Sequence, residues 1–236
     1  MKRFAFILLL VAPLAWGEDF DRIDQLVQGE FRLLSEDLGS TLSYRAQTPT
    51  APLGTIGFDI GFAVTAVKVE NLNVLEEATS DSASSTLAVP TLRLHKGLPL
   101  GFDVGLMYAA VPDSNLRYYG GELRYAIVDG GAALPSVGIR GSVTRLTGVD
   151  QLDLSTRGAD ISVSKGFGPL TPYAGVGRVW IKSEPRGSAS SLSREKFSMS
   201  RAFIGVGLNL VGLNINIEGD RTGDVSAWSI KTGFRF

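Results

Sequence analysis

The chain has 236 residues, of which 44% are hydrophobic and 20% charged, with 28 glycines and no cysteine. Its 23 basic and 24 acidic residues give a net charge of −1, so it lacks the basic excess typical of a nucleic-acid-binding protein. The lack of cysteine excludes disulfides, thiolate zinc sites and cysteine nucleophiles. The length suits one sizeable domain or two small ones.

The first 17 residues predict a secretory signal peptide. Two basic residues open the chain, an apolar run extends from Phe4 to Trp16, and the small residues Ala15 and Gly17 precede a cleavage point at Glu18. The alternative is a membrane anchor, but the apolar run of about 13 residues is shorter than the ~20 residues that a spanning helix needs. We therefore expect a secreted chain that begins at Glu18.

Residues 20–38 predict an amphipathic helix, because apolar residues recur at steps of three and four along one face. Asp19 can cap the start of this helix and Gly39 can end it. The apolar stripe consists of Phe20, Ile23, Val27, Phe31, Leu34 and Leu38.

Beyond residue 54 the chain alternates apolar with small or polar residues, which is the period-two pattern of strands. Most of the segments have about 10–14 residues, close to the 9–11 residues of a membrane-spanning strand and longer than the 5–6 residues common in soluble proteins. The ten segments are Thr55–Val67, Leu87–Lys96, Leu100–Val111, Tyr118–Val128, Val137–Thr147, Leu152–Lys165, Pro172–Lys182, Arg201–Leu210, Leu213–Gly219 and Ser226–Phe236.

The connections between these segments include short glycine-containing turns and two long serine-rich loops, Glu70–Ser85 and Ser183–Glu195. Short turns at one end and long loops at the other are typical of outer-membrane barrels. We predict an all-β fold, an antiparallel transmembrane β-barrel of about ten strands (8–12) with a short N-terminal amphipathic helix. The expected parts are a signal peptide at 1–17, a periplasmic helix and linker at 18–53, and the barrel at 54–236.

The last nine residues alternate apolar and polar side chains and stop on Phe236. This segment resembles the final strand of Gram-negative outer-membrane β-barrels, with Trp228, Ile230, Phe234 and Phe236 as its assembly signal. The resemblance implies residence in the outer membrane and contact with outer-membrane lipid and lipopolysaccharide. It also implies the outer-membrane assembly machinery and periplasmic chaperones as partners.

The rival architecture is a soluble periplasmic β-barrel that binds a ligand. Its water-facing surface should be rich in Lys and Glu, whereas the polar face here is dominated by Gly, Ala, Ser, Thr and Asn. In the membrane barrel, Phe58, Phe62, Phe102 and Leu106 should face lipid, and Asp59, Gly61, Asp103 and Gly105 should face the lumen.

Twelve charged residues are expected to face the lumen and to pair there, because an isolated charge in a narrow interior is costly. They are Asp59, Arg93, Asp103, Glu122, Arg124, Arg140, Asp160, Arg178, Arg201, Glu218, Lys231 and Arg235. Such a network either lines an ion-selective pore or fills a small barrel as a polar core, and we favour the core.

His95 is the single histidine. Outer-membrane proteases of the omptin type need acidic residues beside a histidine at the outer rim, and lipid A deacylases place a serine two residues after theirs. Gly97 holds that position here, and His95 belongs to the short-turn end of its strand. We expect an ordinary lumen or turn residue, no catalytic residues, no metal and no cofactor.

The favoured function is a non-enzymatic outer-membrane barrel, either a narrow pore or a structural or surface protein. The alternatives are a lipid-modifying or proteolytic barrel enzyme and the soluble binding protein. The linker Arg45–Gly54 is long enough to fold the helix back to the barrel. We expect the helix to dock in or across the periplasmic mouth and narrow any channel, in room left by Gly57, Gly61, Gly101 and Gly105 beside Met107.

Overall fold

Ten strands close into an antiparallel barrel in a computed structural model that describes residues 19–79, 84–112, 114–131 and 133–236. Each strand pairs with its neighbours along the chain, and the tenth strand pairs with the first. The predicted barrel is therefore confirmed, while the predicted signal peptide lies outside the described residues. The strands are β1 (Phe58–Lys68), β2 (Thr86–Gly97), β3 (Phe102–Ala110), β4 (Arg117–Val128), β5 (Ser136–Thr147), β6 (Leu152–Ser164), β7 (Leu170–Pro185), β8 (Glu195–Asn209), β9 (Leu213–Thr222) and β10 (Val225–Arg235).

In the described part of the chain, two α-helices accompany the barrel: α1 (Gln28–Leu42) precedes β1, and α2 (Leu72–Thr79) lies in the loop between β1 and β2. Short 3-10 turns occur at Ile23–Gln25, Pro99–Gly101 and Gly187–Ser191. Within the described ranges, no helix is long and apolar enough to cross a membrane.

The strands alternate between an apolar outer face and a mostly polar inner face. Phe62 and Leu106 are 49% and 59% exposed on the outside, whereas Asp59 and Asp103 are 1% and 2% exposed on the inside. The predicted facing of β1 and β3 is therefore confirmed. Large apolar side chains are exposed on all ten strands.

The two ends of the barrel differ. Brief turns join β2 to β3, β4 to β5, β6 to β7 and β8 to β9 at one end, which we call the short-turn end. The opposite, long-loop end carries α2 and an extended β7–β8 hairpin. β8 begins at Glu195, six residues before the predicted start at Arg201, because Lys182 and Ser183 of β7 continue the ladder with Lys196 and Glu195.

The closing strand β10 pairs with β1 from Asp59↔Arg235 to Val67↔Ala227. Backbone hydrogen bonds between Phe58 and Phe236, 2.9 and 3.0 Å long, extend this pairing to the last residue. The side chains of the predicted assembly signal all point outward, with exposures of 67% for Trp228, 38% for Ile230, 57% for Phe234 and 76% for Phe236.

Candidate functional site: the lumen and its N-terminal plug

The N-terminal segment runs through the barrel from one end to the other. The amide of Phe20 donates to Asn115 Oδ1 (3.2 Å) in the β3–β4 loop at the long-loop end. Farther along, the amide of Leu53 donates to Asp103 Oδ1 (3.1 Å) at the short-turn end. We call residues 20–53 the plug. The helix lies inside the barrel, as predicted, but the predicted mouth, beside the wall glycines at the short-turn end, is wrong, since α1 occupies the long-loop half of the lumen.

The apolar stripe of α1 is buried in that half. Phe31, Leu34 and Leu38 are at most 1% exposed and form one cluster with inward side chains of the strands and loops. The helix is shifted relative to the prediction: it starts after Val27, which is 64% exposed, and it passes Gly39 to end at Leu42. Both ends of the helix therefore differ from the prediction, because tertiary packing outweighs the local capping signals.

Gly39 continues the helix because it lies against the barrel wall. A Cβ at this position would stand 2.6 Å from Ile181 Cδ1 of β7, which is closer than real contacts allow. By contrast, two inward glycines of the wall make room for charged side chains and not for the helix. A Cβ on Gly61 would meet Lys231, and a Cβ on Gly105 would meet His95 and Glu122. The expectation that these wall glycines accommodate the helix is wrong.

The β1–β2 loop folds over the long-loop mouth. Val74, Leu75 and Ala78 of α2 are buried in the same cluster as α1, and Arg22 donates its amide to the carbonyl of Ala78 (3.1 Å). Asp37 of α1 accepts hydrogen bonds from the amide and the side chain of Asn71 at 2.9 and 3.2 Å. Burial raises the pKa of Asp37 above its ordinary value, against the opposing effect of these two hydrogen bonds.

Arg45 anchors the plug where α1 ends. Its Nε lies 2.7 Å from Asp220 Oδ1 of β9, and both side chains are almost completely buried. Its Nη1 and Nη2 also donate to the carbonyls of Thr41 (2.8 Å) and Ser40 (3.2 Å). The guanidinium therefore satisfies the terminal carbonyls of the helix and complements the negative end of its dipole.

Tyr44 lies among the arginines of the wall. Arg93 and Arg140 approach its ring to 4.6 and 5.8 Å from the centroid, and Arg201 donates to its backbone carbonyl. Guanidinium groups over an aromatic face are attracted by the ring quadrupole, more strongly where water is excluded. The plug thus supplies partners that the wall arginines lack among themselves.

Gln47 contacts three strands of the wall. Its amide donates to Glu218 Oε2 (2.6 Å), its Nε2 donates to Thr65 Oγ1 (3.0 Å), and its Oε1 accepts from Arg93 Nη1 (3.0 Å). Its φ of +49° is uncommon for a residue with a side chain. Three hydrogen bonds to three strands hold this conformation.

A charge network lines the short-turn half. Asp59 accepts from Lys231 (2.5 Å) and Arg235 (3.1 Å), and Arg124 donates to Asp103 (2.7 Å). Arg140 bridges two acids, Asp160 at 2.6 Å and Glu122 at 3.3 Å. The predicted charges that face the lumen are Asp59, Arg93, Asp103, Glu122, Arg124, Arg140, Asp160, Arg201, Glu218, Lys231 and Arg235.

Arg178 is the exception among the twelve, and its predicted place in the lumen is wrong. It lies on the exposed outer face of β7, because Gly177 and Val179 take the inward positions on either side. The prediction missed Asp220, Arg45, Tyr44 and Gln47 as lumen residues. Extending the alternation of β9 one step past Glu218 would have found Asp220, but no local pattern marks the three plug residues.

His95 is enclosed within the wall. Its Nε2 lies 2.9 Å from Glu122 Oε1, its Nδ1 lies 4.0 Å from Asp59 Oδ1, and the side chain is 2% exposed. A general base must be within reach of a substrate proton. The enclosure of His95 leaves no room for one, and its place at the short-turn end agrees with an ordinary lumen residue.

A small cavity lies beside the plug. A lumen cavity lined by Thr48, Thr50, Arg140 and Asp160 has a volume of about 20 Å³, enough for a single water molecule. Among the residues that the structure describes, no group of His, Cys, Asp or Glu side chains is arranged to hold a metal ion.

No family model and no curated protein sequence matches the chain. Among solved structures, it is similar to the N-terminal β-barrel domain of Pseudomonas aeruginosa OprF, with 12% identity, a TM-score of 0.38, and coverage of 75% of this chain and 97% of that one. The outer membrane protein OprG from the same species aligns at 12% identity and a TM-score of 0.36, over 81% of this chain and 99% of that one. The Acinetobacter baumannii outer membrane protein Omp33 aligns at 7% identity and a TM-score of 0.34, over 77% of this chain and 98% of that one.

Proposed function

We propose that this chain is a non-enzymatic outer-membrane β-barrel whose lumen is closed by its own N-terminal segment, so that it serves as a structural or surface protein and not as an open pore. The observation that carries the proposal is the plug, in which Tyr44, Arg45 and Gln47 are at most 3% exposed inside the barrel. Solute cannot pass a lumen whose centre is occupied by hydrogen-bonded chain.

The outer surface supports the membrane location. Water-soluble monomers rarely expose contiguous apolar patches above a few hundred Å², because such surface is costly in water. Here large apolar side chains are exposed on every strand of a closed barrel. This exposed apolar surface also argues against a soluble periplasmic binding protein. We further propose that residues 1–17 are a cleaved signal peptide, through which the chain is exported.

We infer the orientation of this barrel from the general arrangement of outer-membrane barrels, in which short turns face the periplasm and long loops face the cell exterior. The start of the plug, held by Asn115 and Gln151 in the loops, then lies at the cell surface. The domain prediction of a periplasmic segment at 18–53 is revised accordingly: residues 19–53 are proposed as a lumen segment that reaches the cell surface.

Permeability tests the closure. The mature protein in lipid vesicles should be impermeable to a small sugar in a swelling assay, and a variant lacking residues 18–53 should admit it. A deletion of residues 18–44 is the matched control, because it opens the long-loop half but keeps Arg45–Leu53 in the other half. Sugar flux through the intact protein would contradict the proposal.

Surface labelling tests the orientation. The chain has no cysteine, so single cysteines can be introduced without a background. Val27→Cys lies at the long-loop end and Leu134→Cys at the short-turn end, with parent exposures of 64% and 63%. An impermeant maleimide added to intact cells should label the first and spare the second; the reverse pattern would invert the orientation.

A further inference from the structure

The outer wall formed by β6, β7 and β8 carries a cluster of cations toward the long-loop end. Arg157, Arg178, Lys182 and Lys196 all point outward from the barrel, and we call these four residues the basic wall patch. Lys182 stands directly opposite Lys196 in the β7–β8 ladder. Arg157 stands opposite Trp180 in the β6–β7 ladder.

This patch contains positive charge that the protein itself does not neutralise. Like charges directly opposite each other in a sheet are destabilising. Lys182 has one acidic partner, Glu184, at 3.0 Å. Arg157, Arg178 and Lys196 have no ion-pair partner within the part of the chain that the structure describes. An anion from outside the chain would remove the repulsion.

Several cations elsewhere on the same rim are paired. Lys68 lies 3.3 Å from Glu70 in the β1–β2 region, and Arg221 lies 3.0 Å from Asp224 in the β9–β10 turn. Arg145 of β5 is paired with Asp153 at 3.1 Å. Arg117 of β4 is also exposed without an ion pair in the described part of the chain, but it lies between Ala110 and Thr147, whereas three such cations lie together on the β6–β8 wall.

The height of the patch matches the boundary of the membrane. Trp180 stands ten residues beyond Leu170, where β7 leaves the short-turn end. At about 3.3 Å per residue and a tilt of about 40°, this distance is about 25 Å along the barrel axis, the height of the apolar band of outer-membrane barrels. Tryptophan is enriched at that interface, so Lys182 and Lys196 lie just above it.

The surroundings of the patch suit a lipid headgroup. Apolar side chains occupy the wall below it, including Ile161, Val176 and Ile204, which are 47%, 58% and 67% exposed. Small residues separate the cations: Ser198 is opposite Trp180 and Ser200 is opposite Arg178. Long basic side chains can lie along such a surface and extend their charges toward the headgroup level.

We propose that the basic wall patch binds the phosphate groups of lipid A in the outer leaflet. A phosphate at this level would accept charge-assisted hydrogen bonds from arginine and lysine, while the acyl chains pack against the apolar wall below. The site rests on the proposed outer-membrane location. It also explains why Arg178 is tolerated on a lipid-facing surface, where an unpaired charge is costly.

Native mass spectrometry of the mature protein in detergent tests the site, with lipid A carrying both phosphates as the probe. Lipid A stripped of its phosphates and phosphatidylglycerol are the comparison lipids. We expect the intact protein to bind the phosphorylated form at least about tenfold more tightly than either comparison lipid. The variant K182Q/K196Q should lose this preference. The control variant K68Q/R221Q removes the same charge from the same rim and should keep it.

Equal binding of all three lipids by the intact protein would overturn the site, and so would a K182Q/K196Q variant that binds like the control. Flotation with phosphatidylethanolamine vesicles separates this failure from that of the proposed function. Protein that floats with the vesicles but shows no preference refutes the lipid A site alone. Protein that does not insert refutes the membrane location and the site together.

Discussion

The two halves of the lumen are closed by different means. In the long-loop half, α1 buries an apolar stripe against inward side chains and α2. In the short-turn half, the plug is extended and meets the wall through hydrogen bonds, such as those from the amides of Gln47 and Leu53 to the carboxylates of Glu218 and Asp103. Apolar packing tolerates exchanges of similar volume, whereas buried charges depend on specific partners. The halves should therefore respond differently to substitution.

The largest effect is expected where a buried ion pair joins the halves. Arg45→Ala removes the nearer of the two cations beside buried Asp220 and leaves only Arg201, at 3.9 Å. Removing one partner of a buried ion pair costs about 3–5 kcal/mol. The free energy of unfolding from urea titration in detergent measures this cost. The control is Arg32→Ala, whose partners Glu36 and Glu195 are partly exposed, so its cost should be about 1 kcal/mol or less. Equal effects of the two substitutions would refute the anchoring role of Arg45.

A cavity in the apolar half should cost somewhat less. Leu38→Ala removes a side chain that is 1% exposed, and such truncations cost about 2–5 kcal/mol depending on how well the site collapses. Leu33→Ala is the matched control on the same helix, because its side chain is 37% exposed. The same urea titration compares them. If both cost the same, α1 does not pack inside the barrel as described.

Two glycines of α1 should respond with opposite signs. A Cβ added at Gly29 would meet no atom within 4 Å, so Gly29→Ala should stabilise the protein by about 0.5–1 kcal/mol through helix propensity. Gly39→Ala places a Cβ against Ile181 and should destabilise it by about 1 kcal/mol or more. The melting temperatures of the two variants, each compared with that of the parent, measure these effects. Stabilisation by both would show that the helix stands away from β7.

The smallest effect concerns pH at the long-loop mouth. Because burial raises the pKa of Asp37, the folded state holds its proton to higher pH than the unfolded chain does. Stability therefore falls as pH rises from the ordinary carboxyl pKa, near 3.9, through the raised value in the folded state. Asp37→Asn removes this loss, so the stability of the variant relative to the parent should increase between pH 3 and pH 7. A difference that stays constant across that range would contradict the raised pKa.

The sequence predicted which strand side chains face inward or outward better than it predicted the segment that occupies the lumen. A period of two fixes which side chains of a strand share a face, and this placed Asp59 and Asp103 inside and Phe62 and Leu106 outside. The same pattern failed at Arg178, because the inward glycines of β7 carry no side chain to mark their face.

The position of the helix had no comparable local signal. An apolar stripe can be covered at either mouth, and the choice depends on contacts distant in sequence. Arg45 and Asp220, for example, are 175 residues apart. Glycine often terminates helices, so the sequence predicted a helix end at Gly39. Its actual role is close packing against Ile181, a residue distant in sequence.

Closure of the lumen by the plug is tested most directly by single-channel recording. The purified mature protein, inserted into planar bilayers, should show no steady open state. Deletion of residues 18–53 should produce steady conductance, with the 18–44 deletion closer to the intact protein. A steady conductance of the intact protein, unchanged by the longer deletion, would contradict the account, since it would mean that residues 20–53 do not fill the barrel.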